Sequence, residues 1–219
     1  MKKIVLSLFI AAALVSVSCK KAETDGSKDT VEAAVTADGV VYKANTTSSV
    51  INWGGSKPGG KHVGTVNLQD GEFTVKDNKI VTGKFTINMS TITVTDLKPD
   101  DGKEDLEAHL KGTGDKADQD HFFNIKKYPT GFFVIRRIEE ENGKTVVYGA
   151  LSIKDVTKAV NFPADIKVTD NEVSLESDTL VLNRTYWHIN HASKSLFDDL
   201  KDKFIHDEIQ VKINVKATK

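Results

Sequence analysis

DNKIVTGKFTINM, residues Asp77 to Met89, sets a turn sequence in front of a run with period two. Val81, Gly83, Phe85, Ile87 and Met89 occupy the odd positions, and Thr82, Lys84, Thr86 and Asn88 the even ones. Side chains alternate across a strand, so this pattern predicts a strand with one buried face. Working outward, the same alternation returns at Val147, Gly149, Leu151 and Ile153, and at Val160, Phe162, Ala164, Ile166 and Val168. It is cleanest at Ile209, Val211, Ile213 and Val215, where a terminal strand is expected. Pro163 falls on the polar set of its run; having no N–H, it predicts an edge, a bulge or an outward-pointing nitrogen.

Asp77–Lys79, ENGK at Glu141–Lys144 and TDNE at Thr169–Glu172 separate strand-like runs with residues that tolerate tight hairpin turns. Consecutive hairpins make an antiparallel meander, and closing it into an up-and-down barrel removes exposed edges. The expected fold class is all-β, an extended antiparallel up-and-down barrel. Two stretches break the pattern, KEDLEAHLKG (Lys103–Gly112) and HASKSLFDDLKDKF (His191–Phe204). Leu106 and Leu110, like Leu196 and Leu200, stand four apart, which suits short helices or lid loops over one end of the barrel.

With 219 residues and 39% hydrophobic content, the chain can build one sizeable core plus targeting segments. Thirty Lys and Arg against 31 Asp and Glu leave no basic excess for a phosphate backbone, so nucleic acid is not an expected partner. Lys2 and Lys3 precede an apolar run from Ile4 to Val15 and small residues that end at Cys19, the single cysteine. This is the pattern of a signal peptide, expected over residues 1–18. As a helix the run spans roughly 18 Å, too short for a hydrocarbon core of about 30 Å. Cys19 stands where a bacterial lipoprotein carries its lipidated residue, with Ser18 before it and Ser16 where the usual lipobox has Leu. Anchorage in the bacterial envelope through acyl chains on Cys19 is the expectation, facing the periplasm or the cell surface. Residues 19–39 are polar, charged and small and predict a flexible tether, leaving 40–219 for the barrel.

The six histidines include His188 and His191, two residues apart in the intervening sequence, with His62, His109, His121 and His206 spread over other segments. There is no HExxH and no Cys/His ligand spacing, so a dedicated metal site is not expected, and no cofactor is implied. His62 and His109 are expected to bond to backbone or to lie near the barrel mouth. GSKPGGK (Gly55–Lys61) is too irregular for a nucleotide loop and reads as a hairpin connection. No nucleophile with an ordered base stands out, and the chain is read as no enzyme.

Separate pieces, in order, resemble the YceI-like family over roughly Val41 to Lys216. They are SSVINWGGSKPGGKHVGTVNLQDGEF (Ser48–Phe73), GKFTINMSTI (Gly83–Ile92), LEAHLKG with HFFNIKKYPTGFF (His121–Phe133), GALSIKDVTKAVNFP (Gly149–Pro163), LNRTYWHI (Leu182–Ile189) and HDEIQVKINV (His206–Val215). The resemblance implies a lipocalin-like barrel whose apolar interior holds a polyisoprenoid such as a prenyl quinone or prenyl phosphate, as carrier or store. The chain departs from the family by Lys- and Asp-rich stretches around Asp96–Asp105 and Gly112–Asp120, which bear on the barrel mouth.

A small barrel can also fill its interior with its own side chains, and alternation does not separate the two cases. On the ligand reading, Phe85, Ile87, Leu151, Ile153, Phe162 and Ile166 are the lining candidates. Arg184, Trp187 and His188 are the headgroup candidates, since a prenyl phosphate or quinone needs a polar contact beside an apolar tunnel. In an extended run Arg184 and His188 would share a face. A metal-dependent or other envelope hydrolase, and a structural barrel with a filled core, remain as alternatives. An exposed edge strand would suit a homodimer, and oligomeric state is left open.

Overall fold

The structure is a computed structural model that describes residues 38–115 and 120–219. The expected leader, Cys19 and the tether as far as residue 37 lie outside the described residues.

The strands are β1 (Val40–Ala44), β2 (Val50–Lys57), β3 (Gly60–Lys76), β4 (Lys79–Val94), β5 (Thr130–Glu141), β6 (Lys144–Ile153), β7 (Val156–Val168), β8 (Glu172–Ser177), β9 (Leu180–Asn183) and β10 (Glu208–Thr218). Among the described residues there is one α-helix, α1 (Lys103–Lys111), between β4 and β5. All ladders are antiparallel, and β10 bonds to β2 on one side and to β8 and β9 on the other, which closes the sheet on itself. β1 and β2 act as one interrupted stave between β3 and β10, and β8 and β9 as another against β10. The expected up-and-down barrel is the observed fold.

Turn chemistry fixes three hairpins at one stroke. Asp77 and Asn78 (φ 51° and 59°), Asn142 and Gly143 (51° and 76°), and Lys154 and Asp155 (48° and 60°) supply paired positive φ values. That is the signature of type I′ turns, whose twist matches the flanking strands. Lys154 is an uncommon residue at such a position. Its side chain is buried, and Nζ donates to Asp120 Oδ1 and to the Phe122 carbonyl, both at 2.9 Å.

Glycines in strands make room for aromatic rings. Gly71 pairs with Phe85, and Phe73 with Gly83, so each ring lies opposite a residue without a side chain. A Cβ on Gly71 would stand 2.3 Å from Phe85 Cδ1. The two rings meet edge to face at 5.0 Å, a favourable aromatic arrangement. Pro163 lies where the pairing of β7 changes hands: β7 bonds to β6 as far as Pro163 and to β8 from Ala164. The missing N–H therefore falls at a partial edge, one of the outcomes expected of it.

The barrel has two unlike ends. At the end bearing the Asp77–Asn78 and Asn142–Gly143 turns, Tyr42, Val75, Val147, Phe162, Val173 and Ala217 are buried together as a filled core. At the other end lie the Pro58–Gly59 turn, α1 and the long excursion between β9 and β10. His191–Phe204 forms no α-helix there; turns and a single 3-10 turn at Lys201–Lys203 follow one another.

Candidate ligand-binding site

Along β10 the inward positions tell how the interior changes. Ala217 and Val215 are buried, whereas Ile213, Val211 and Ile209 are only half-buried, because they face a cavity. The cavity holds about 440 Å³, within the range of roughly 300–1,000 Å³ usual for small-molecule sites. Phe73, Phe85, Ile135, Leu175 and Val215 form its floor on the filled core. Its walls are Trp53, Val66, Leu68, Ile87, Leu151 and their neighbours, and Leu106 and Leu110 of α1 reach it from the open end. Trp53 pairs with Gly64, where a Cβ would come 2.5 Å from the indole, and its Nε1 donates to the Thr65 carbonyl at 3.2 Å. Charged and imidazole side chains in the lining gather at the mouth, Lys57, His62, His109, Arg184, His191 and Lys203, with Ser56 beside them.

Of the candidates, Phe85, Ile87, Leu151, Ile153 and Arg184 stand in the cavity lining. Phe162, Ile166, Trp187 and His188 are placed elsewhere. Phe162 belongs to the filled core, where its ring packs 5.9 Å from Phe133. Ile166, in the β7 segment that pairs with β8, packs on the same core. The run Arg184–Trp187 is a 3-10 turn, not a strand, so Arg184 and His188 do not share a face. Asn183 caps that turn by accepting from the Thr185 N–H at 3.0 Å. Trp187 is buried with Nε1 donating to the Leu151 carbonyl at 3.1 Å, and His188 is exposed at the turn's end with φ 57°.

Arg184 is a staple. It donates from Nε to the His206 carbonyl (3.1 Å), from Nη1 to that of Ile189 (2.6 Å) and from Nη2 to that of Ile205 (3.0 Å). Nη2 also faces Asp207 Oδ1 at 3.4 Å. The planar guanidinium thus ties the start of the β9–β10 excursion to its end, and most of its N–H groups are committed to the protein. Burial lowers its pKa and the Asp207 charge works against that shift. For Asp207, burial works toward a raised pKa, but the Ser193 and Ser195 hydroxyls and Arg184 outweigh it and hold the carboxyl below its ordinary value.

At the mouth His62 Nδ1 lies 3.0 Å from Asp96 Oδ2, and the Val63 N–H donates to Asp96 Oδ1 at 3.0 Å. Burial opposes the Asp96 charge, yet these two donors keep its pKa lowered. His109, His121 and His191, far apart in sequence, come together here, which corrects the expectation of scattered histidines. His109 Nε2 and His121 Nδ1 are 2.9 Å apart, and the His121 and His191 rings stack at 3.8 Å. Phe122 lies against the group, 5.0 Å from His109 and 5.4 Å from His191. No spacing rule could have found this trio; it depends on how α1 and two loops meet at one mouth.

Comparison with known proteins agrees with this architecture. A stretch of 103 residues is 31% identical to a UPF0312 protein of Shewanella denitrificans; it covers 47% of this chain and 48% of the relative, so the chain spans about half of the protein it matches. The BcnA protein of Burkholderia cenocepacia superposes with a TM-score of 0.61 at 18% identity, over 80% of this chain and 99% of BcnA. A polyisoprenoid binding domain from Saccharophagus degradans gives 0.54 at 10% identity, over 81% of this chain and 97% of its own. At these identities the superpositions speak for the fold alone. The YceI-like domain profile matches residues 42–217, from the first stave to the last, and the chain belongs to the YceI-like domain family.

Proposed function

We propose that the hollow end of the barrel holds one long apolar lipid of the polyisoprenoid class, as a carrier or store without a catalytic step, and that Cys19 anchors the protein in the bacterial envelope. The observation that carries this reading is the cavity itself. It is apolar at its floor and walls, and its charged and imidazole side chains stand at the mouth. That gradient suits an amphiphile lying chain inward with its polar end at the rim. Each five-carbon unit removed from water contributes roughly 3 to 4 kcal/mol at about 0.8 kcal/mol per carbon group, before association costs. A few units therefore suffice for firm binding. Family membership and the polyisoprenoid binding domain among the similar structures support the ligand class. The leader-like residues before Cys19 support the location.

Uptake of polyprenols by the full-length, delipidated chain tests the reading. Binding is expected to tighten with each added isoprene unit until the cavity is full. The Ile213→Trp variant, which places an indole where the wall faces the cavity, should lose that uptake while remaining folded. Equal uptake by wild type and Ile213→Trp would place the lipid elsewhere.

A further inference from the structure

We propose that His109, His121 and His191 bind one divalent transition-metal ion, zinc by stereochemistry, at the rim of the cavity, with one coordination position left toward the interior. Each of the three side chains offers a ring nitrogen, and these atoms all lie within 4.8 Å of one another. Three imidazoles with an open fourth position form a common zinc arrangement, and imidazole suits zinc, copper and nickel over the hard cations. At zinc–nitrogen distances of about 2.0–2.1 Å, tetrahedral ligand atoms stand about 3.4 Å apart. The 2.9 Å pair must open slightly and the stacked His121 and His191 rings must splay to reach that spacing.

The three carriers are each held by the surrounding fold, which limits the adjustment to the rings. His109 is in the last turn of α1, whose end is fixed by the Phe123 N–H donating to the Leu110 carbonyl and Ile125 N–H to that of Lys111. His121 lies between Asp120 and Phe122, the two residues gripped by buried Lys154. His191 stands two residues after Ile189, whose carbonyl Arg184 clamps.

His109 and His191 also belong to the cavity lining. A cation bound by three neutral imidazoles keeps its full charge at the rim. Its open position would accept an oxygen of an anionic headgroup, a phosphate above all, on a lipid whose chain fills the cavity. This last step rests on the lipid reading given above; the metal site does not.

The test uses full-length, chelator-stripped protein. With zinc and no lipid, calorimetry is expected to show one ion per chain, and cobalt(II) should give the visible absorption of a four-coordinate site. His121→Gln and His191→Ala should weaken binding by at least about 100-fold, at or above the upper end seen for loss of outer-shell partners. The exposed His188→Ala control should keep the wild-type affinity. Melting of the metal-free variants shows that each is folded, and zinc should raise the melting temperature of the wild type but not of the trio variants. Absence of stoichiometric binding, or affinity indifferent to the trio, would overturn the site. Polyprenol uptake in chelator tests the lipid reading separately. Zinc should then tighten polyprenyl phosphate at least about tenfold and leave polyprenol unchanged; equal effects on both would refute the headgroup contact.

Discussion

The filled and hollow ends of this barrel are built from the same strands with the same alternation, yet one stores stability and the other space. On β10, Ala217 and Val215 close a core with Val173 and Tyr42, while Ile213, Val211 and Ile209 on the same face look into the cavity. The difference comes from what caps each end. Tight turns stand at both ends, Asp77–Asn78 and Asn142–Gly143 at the filled one and Pro58–Gly59 and Lys154–Asp155 at the hollow one, but only at the filled end does the interrupted β1–β2 stave bring Tyr42 into the core. At the hollow end, α1 and the β9–β10 excursion span the mouth without plunging into it. Apolar periodicity therefore reports which residues face inward, and the connections decide whether the inward space is filled.

Removing the same chemistry from the two ends should break them apart. Phe162→Ala in the filled core is expected to cost about 3–5 kcal/mol in chemical denaturation, because it adds a new void to close packing. Asp207→Asn comes next, at about 3 kcal/mol, since it leaves the buried Arg184 charge with carbonyl partners alone. Its pH dependence has a fixed sign. The folded carboxyl is held below its ordinary value of 3.8, so its contribution is complete above that value and is lost as pH falls through the lower folded one. The melting-temperature gap between wild type and Asp207→Asn should accordingly narrow in strong acid.

Ile213→Ala, on the cavity wall, is expected to cost about 2 kcal/mol, the low end for such truncations, because the void it enlarges exists already. Denaturation of this variant beside Phe162→Ala sharpens the contrast, and equal losses would mean that the hollow end is packed in solution. Gly71→Ala should cost about 1–3 kcal/mol by driving the Phe85 ring off its partner and into the cavity floor. The smallest effect belongs to Lys212→Ala. It removes an exposed ion pair to Glu176 and should leave the melting temperature unchanged.

β4, β6, β7 and β10, three turns and α1 were legible because each follows a local rule: period two, paired turn formers, or leucines four apart, although the last rule also holds at Leu196 and Leu200, where no α-helix forms. Four of the six proposed apolar contacts, Phe85, Ile87, Leu151 and Ile153, line the cavity for the same reason. Phe162 and Ile166 obey the same period but lie toward the filled end, and no periodicity tells one end of a strand from the other. The headgroup candidates are separated for a different reason: Arg184 lines the cavity, whereas Trp187 and His188 do not. Arg184 through Trp187 follow β9 without a glycine or proline to announce the 3-10 turn, which is set by the Asn183 cap and by the carbonyls that Arg184 collects. The histidine trio was illegible altogether, since its members lie before β5, in α1 and before β10, and meet only when the mouth is assembled.

Native mass spectrometry of the full-length chain, purified in detergent from cells that export it and compared before and after organic extraction, tests the central claim most directly. One extractable mass in the prenyl-lipid range per chain is expected, lost from Ile213→Trp and restored to the wild type by adding polyprenyl lipid. A chain that carries no such mass and refuses added polyprenyl lipids would contradict it.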